Sequence, residues 1–86
     1  MNLIYEKVHD GWIVKRIGYE YSYHAHIKNK KSCVLLIDLI HKNRMPKSTW
    51  LKGSVKRLLT EPEYKEFTRV CDRKQKYHNV QRGVRI

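Results

Sequence analysis

The sequence predicts an α+β fold: a three-stranded antiparallel meander over residues 2–27, followed by three helices at about 33–43, 48–59 and 61–75. Three observations carry that expectation. Hydrophobicity alternates with a period of two over Tyr19–Ile27 and takes a helical period from Ser32 onward. An Asp-Gly pair separates the first two β-prone runs, and Thr60-Glu61-Pro62-Glu63 has the form of a capping box with proline in the first turn.

The first strand is expected over Asn2–Val8, where Leu3, Ile4, Tyr5 and Val8 supply the apolar content. His9-Asp10-Gly11 then turns the chain, since Asp-Gly tolerates positive φ at both central positions of a hairpin turn. Trp12–Ile17 forms the second strand, closed by Gly18. From Tyr19 to Ile27 the pattern places Tyr19, Tyr21, Tyr23, Ala25 and Ile27 on one face and Glu20, Ser22, His24 and His26 on the other. The tyrosine side is expected to face the helices, with a base-stacking platform as the alternative. Lys28-Asn29-Lys30-Lys31 connects sheet to helix.

Ser32 is the expected cap of the first helix, whose buried face comprises Cys33, Leu36, Ile37 and Ile40, with Leu35 and Leu39 alongside. Arg44-Met45-Pro46-Lys47 forms a turn, and Ser48 or Thr49 starts the second helix. There Leu51, Val55, Leu58 and Leu59 share an arc opposite the polar and basic positions. In the third helix Tyr64, Phe67, Val70 and Cys71 oppose Lys65, Arg69, Arg73 and Lys76. Residues from about 77 read as a basic extended tail or a short extra strand.

With 86 residues, 41% of them hydrophobic, the chain is expected to form one small domain with a modest core, not a disordered polybasic segment. Met1–Val8 lacks an apolar signal core and Asp38 interrupts the longest apolar run, so a cytoplasmic protein without a membrane segment is expected. Cys33 and Cys71 make no CxxC pair and are read as reduced, buried thiols.

The net charge of +11 is unevenly distributed. Residues 1–27 are neutral, 28–57 carry nine basic side chains against one acidic, 58–72 are net acidic, and 73–86 hold five basic side chains and no acid. Such segregation points to a positive surface and to a polyanionic partner. The expectation is a non-enzymatic nucleic-acid-binding protein, with DNA slightly favoured over RNA because the first two helices invite comparison with a helix-turn-helix. The connection between those helices exceeds the about 3–4 residues of that motif, which weakens the comparison. The residues assigned to the surface are Lys28, Lys30, Lys31, Arg44, Lys47, Ser48, Thr49, Trp50, Lys52, Lys56, Arg57, Arg73, Lys74 and Lys76. Trp50 among the cations offers a stacking or cation–π surface.

Two other function classes stay open. One is a protein-interaction module or inhibitor, for example a phage anti-defence protein, whose basic face docks on an acidic or ribonucleoprotein partner; the composition suits a phage or mobile-element accessory protein. The other is a small nuclease in which His24 and His26 serve as general base and acid. A metal site on the same His-x-His pair would need further ligands, with Asp38, His41 and His78 the candidates, and neither a metal nor a cofactor is expected. A two-histidine phosphodiesterase is excluded because only one His-x-His appears, and no phosphate loop, nucleophile elbow or paired-carboxylate motif is present.

Overall fold

The computed structural model describes residues 2–19 and 22–83, with side chains through residue 74. The chain runs β1 (Leu3–Val8), β2 (Gly11–Arg16), β3 (His24–Ile27), α1 (Lys30–His41), α2 (Thr49–Leu58) and α3 (Glu61–Gly83). The sheet is antiparallel in the order β1-β2-β3, so the α+β expectation holds.

Register fixes which sheet face the helices cover. Leu3 pairs with Arg16, Val14 with Tyr5 and Ala25, and Trp12 with Ile27. Leu3, Val14, Ala25 and Ile27 enter one core with Cys33, Leu36 and Ile40 of α1, Leu51, Val55 and Leu58 of α2, Leu59 and Phe67. Trp12, Ile37, Met45, Tyr64 and Cys71 pack around it. Ile13 points the other way, between Glu6 and His26 across the strands.

The hairpin turn is displaced by one residue from the sequence expectation. Val8 pairs with Gly11, leaving His9-Asp10 as the turn, and the positive φ falls on Gly11 at +150°. A Cβ there would lie 3.4 Å from the Ile27 carbonyl oxygen, so glycine also serves the approach of β3.

The third strand is shorter than expected. Gly18, at φ +92°, turns the chain, and Tyr19 N–H donates to the Arg16 carbonyl while Ser22 N–H donates to that of Tyr19. These local bonds replace a ladder, so pairing resumes at His24. Of the expected tyrosine stripe, Tyr19 is exposed, Tyr23 is half-buried, and Tyr21, like Glu20, lies outside the described residues.

Arg16 accounts for that rearrangement. It is 7% exposed, and its guanidinium makes a bidentate pair with Glu63, at 2.6 and 3.0 Å, and donates to the Leu58 carbonyl at 3.4 Å. The rings of Tyr19 and Tyr23 lie 4.4 and 5.6 Å from its central carbon, edge to face with each other. The tyrosines therefore surround a buried cation that joins the sheet to the end of α2 and the start of α3.

Helix ends follow local chemistry. Asn29, not Ser32, caps α1: its side chain accepts from Ser32 N–H at 2.8 Å, drawing Lys30 and Lys31 into the first turn. At the other end Asn43, at φ +54°, closes a Schellman motif in which Arg44 N–H donates to the Leu39 carbonyl and Asn43 N–H to that of Ile40. Ser48 caps α2. The capping box at α3 forms reciprocally: Thr60 N–H donates to Glu63 Oε1 at 2.9 Å and Glu63 N–H to Thr60 Oγ1 at 3.4 Å.

Residues from 77 onward correct the expectation of an extended tail, because α3 continues to Gly83. Once a capped nucleus exists each added residue gains a helical bond, and no Pro or Gly interrupts the run between Pro62 and Gly83. Residues 84–86, including Arg85, lie outside the described residues. Among the described residues no helix is long and apolar enough to cross a membrane. Both thiols are free, and burial pushes Cys33 and Cys71 above the ordinary thiol range; Cys71 donates to the Asn43 carbonyl.

Candidate nucleic-acid interface

Thirteen of the fourteen surface residues expected from the sequence are exposed, and the side chain of Lys76 lies outside the described residues. Their surroundings divide them into three groups.

The first group is organised by α2. Burial of Leu51, Ser54, Val55 and Leu58 fixes how the helix is rotated. At 100° per residue this puts Trp50, Gly53 and Arg57 toward one flank and Lys52 and Lys56 toward the other. Trp50 is 69% exposed and forms a ridge between two open grooves. One, of about 520 Å³, is lined by His26, Thr49, Trp50, Gly53, Ser54 and Arg57. The other, of about 610 Å³, is lined by Asp10, Trp12, His26, Ile27, Lys28, Ser32, Ser48, Trp50 and Leu51. Thus Lys28, Ser48, Thr49, Trp50 and Arg57 meet around one indole.

A second group lies beside a cleft of about 570 Å³ where Arg44, Lys47 and Lys74 join the apolar side chains of Leu35, Leu39, Met45 and Leu51. Lys74 Nζ donates to the Lys42 carbonyl at 2.7 Å, placing a cation on the negative end of α1. The remaining cations stand apart: Lys30 Nζ is 5.9 Å from the Tyr5 ring and Lys56 Nζ is 5.9 Å from the Tyr64 ring, while Lys31, Lys52 and Arg73 line none of these grooves.

Ion pairing separates structural cations from available ones. Among the described residues Lys15 pairs with Glu6, Arg16 with Glu63, Lys42 with Asp38, Lys65 with Glu61 and Arg69 with Glu66. Lys28, Lys30, Lys31, Arg44, Lys47, Lys52, Lys56 and Arg57 are exposed and form no such pair. Moreover, the first turns of α1 and α2 hold no acidic residue, whereas that of α3 holds Glu61 and Glu63. Positive helix ends without acids, next to lysines, favour an external anion.

His24 and His26 share a face with ring centroids 5.3 Å apart, edge to face. Neither Asp38 nor His41 joins them in a group of three metal-ligating side chains, and His78 lies among the residues whose side chains are not described. His26 lines both grooves beside Trp50, a placement that follows from β3 lying at the sheet edge next to α2. Sequence reasoning singled out the pair for acid–base chemistry and missed this position. It also missed Gly53, a helix-interior glycine costing about 1 kcal/mol relative to alanine. No neighbouring atom would come within 4 Å of a Cβ there, so packing does not require the glycine.

The connection between α1 and α2, residues 42–48, is seven residues long and includes the Schellman turn and the buried Pro46. It is longer than the about 3–4 residues of a helix-turn-helix, which removes the geometric argument for duplex DNA over RNA. No protein-family model, no curated protein and no solved structure matches this chain.

Proposed function

We propose that the chain is a non-enzymatic nucleic-acid-binding protein whose contact surface is centred on the first turn of α2 and extends to Lys28–Lys31 and to Arg44 and Lys47. The observation that carries this reading is the set of eight exposed cations in residues 28–57 that form no ion pair among the described residues, grouped in part around the exposed Trp50. Lys and Arg on such a surface would displace the counterions condensed on the phosphates, and helix N–H groups would add directed bonds.

Anisotropy titration of labelled oligonucleotides from about 50 to 200 mM salt tests it. Affinity is expected to fall linearly on a log–log plot, with a slope of about −0.9 per phosphate contact on duplex and −0.7 on single strands. No binding at the lowest salt, or binding indifferent to salt, would overturn the proposal.

A second prediction follows from α1. Lys31 stands exposed in a first turn with no acid, next to the positive end of the helix dipole. Lys31→Glu is expected to stabilise the fold by about 0.3–1 kcal/mol, raising Tm by a few degrees, and to weaken oligonucleotide binding. A variant both less stable and equally tight in binding would remove Lys31 from the surface.

One observation favours a protein partner instead: Val34 and Leu35 are each 48% exposed on α1, and Leu35 lines the cleft with Met45 and Leu51. Its mark is a partner retained after nuclease treatment.

A further inference from the structure

Resting on the reading above, we infer that the Gly53 flank of Trp50 takes an unpaired nucleobase, making the preferred ligand single-stranded nucleic acid. Trp50 is the most exposed large apolar side chain among the described residues. The groove on this flank is lined by His26, Thr49, Gly53, Ser54 and Arg57 and contains no carboxylate; the groove on the other flank includes Asp10. Gly53 leaves open space three residues along from the indole, so nothing obstructs a flat ring laid against it.

Arg57 lies seven residues from Trp50, hence on the same line of α2 and about 10.5 Å along its axis, placed for a phosphate flanking the stacked base. His26 and Thr49 offer polar groups to its edge. A duplex hides base faces within its stack and presents only edges, so the face of an indole can be used only by a base that is unpaired. An apolar peptide side chain could cover Trp50 but would leave Arg57 and Lys28 without a partner, so charge complementarity selects the phosphate-bearing ligand.

The experiment compares oligo-dT, oligo-U and a duplex of equal length at one ionic strength, reading affinity and tryptophan emission for wild type, Trp50→Ala, Trp50→Phe and Gly53→Leu. Single strands are expected to bind at least about tenfold tighter than duplex and to quench the emission. Trp50→Ala is expected to lose about 5- to 150-fold on single strands and less than about twofold on duplex, with Trp50→Phe retaining most of the affinity. Gly53→Leu, which fills the flank, should act like Trp50→Ala while circular dichroism stays unchanged. Equal binding of single strand and duplex, or equal losses on both in Trp50→Ala, overturns the inference and leaves the nucleic-acid reading standing; absence of binding to all three probes defeats that reading itself.

Discussion

Glu63→Ala is expected to destabilise the fold by about 2–4 kcal/mol, more than Arg16→Met, although both break the same ion pair. The asymmetry follows from burial: the Arg16 side chain is 8% exposed and that of Glu63 37%. Removing the carboxylate leaves an interior guanidinium with, among the described residues, the Leu58 carbonyl at 3.4 Å and two tyrosine rings, and also deletes half of the α3 capping box. Removing the guanidinium leaves a half-open carboxylate that still accepts from Thr60 N–H, while methionine fills part of the space. For a domain of this size 1 kcal/mol corresponds to about 4–8 °C in Tm, so the Glu63→Ala loss should exceed about 8 °C. A loss below about 0.5 kcal/mol would place the pair with ordinary surface bridges.

The same contact sets a pH window. The bidentate bond from Arg16 above all, joined by the Thr60 bonds, holds the Glu63 carboxyl down at about 2, below the ordinary value of 4.5, against an opposing contribution from burial. A carboxyl lowered by folding contributes stability that is complete above 4.5 and is lost as pH falls toward 2. Urea unfolding between pH 5 and 2 should therefore show wild type weakening more steeply than Glu63→Gln, whose position 63 has no proton to bind. Parallel curves would mean that the pair is absent in solution.

Arg16 also shows where sequence reasoning stops. Arg16, between Lys15 and Ile17, carries no local sign of burial, because charged side chains are rarely buried unless paired, and its partner is 47 positions away. Without that pair, Tyr19 and Tyr23 looked like core; with it, they surround a cation. Features fixed within four residues were the most legible: the Thr60 box formed as expected, Ser48 is the cap of the two starts offered for α2, and the hairpin formed with its turn one residue earlier. Ser32 was the expected cap of α1, and the Asn29–Ser32 bond moves the helix start three residues earlier, bringing Lys30 and Lys31 into α1. The helical continuation past Gln75 was obscured because residues 76–83 hold only Tyr77 and Val80 as apolar positions, too few to define a period.

For the candidate interface, counting charge identified the exposed cations because lysine is almost never buried, but could not say which share a groove. That depends on the rotation of α2, which the burial of Ser54 helps to set, and on β3 being the edge strand that delivers His26. Lys52 and Lys56 therefore stand away from the Trp50 ridge despite lying within six residues of it in sequence.

That division makes the largest functional prediction specific. The triple variant Lys28→Gln, Lys47→Gln, Arg57→Gln removes the two cations that line the Trp50 grooves and the one just before the α2 cap, each exposed and outside any ion pair among the described residues. Each lost phosphate contact reduces the log–log salt slope by about 0.7–0.9, which at about 50 mM salt amounts to nearly tenfold in affinity. The triple variant should thus bind about 10²- to 10³-fold more weakly there, with its slope shallower by about 2–3. A control triple, Lys65→Gln, Arg69→Gln, Lys7→Gln, removes the same charge from positions where Lys65 and Arg69 already serve Glu61 and Glu66 and Lys7 lies against Trp12. If net charge alone governed association, both triples would lose equally, since long-range attraction depends on the total. A surface loses most when the cations that touch phosphate are removed, because contact falls off within a Debye length of about 10 Å at 0.1 M salt. Equal losses in the two triples would therefore reduce the +11 charge to general attraction, whereas a deficit confined to the first would localise binding to the Trp50 side of α2.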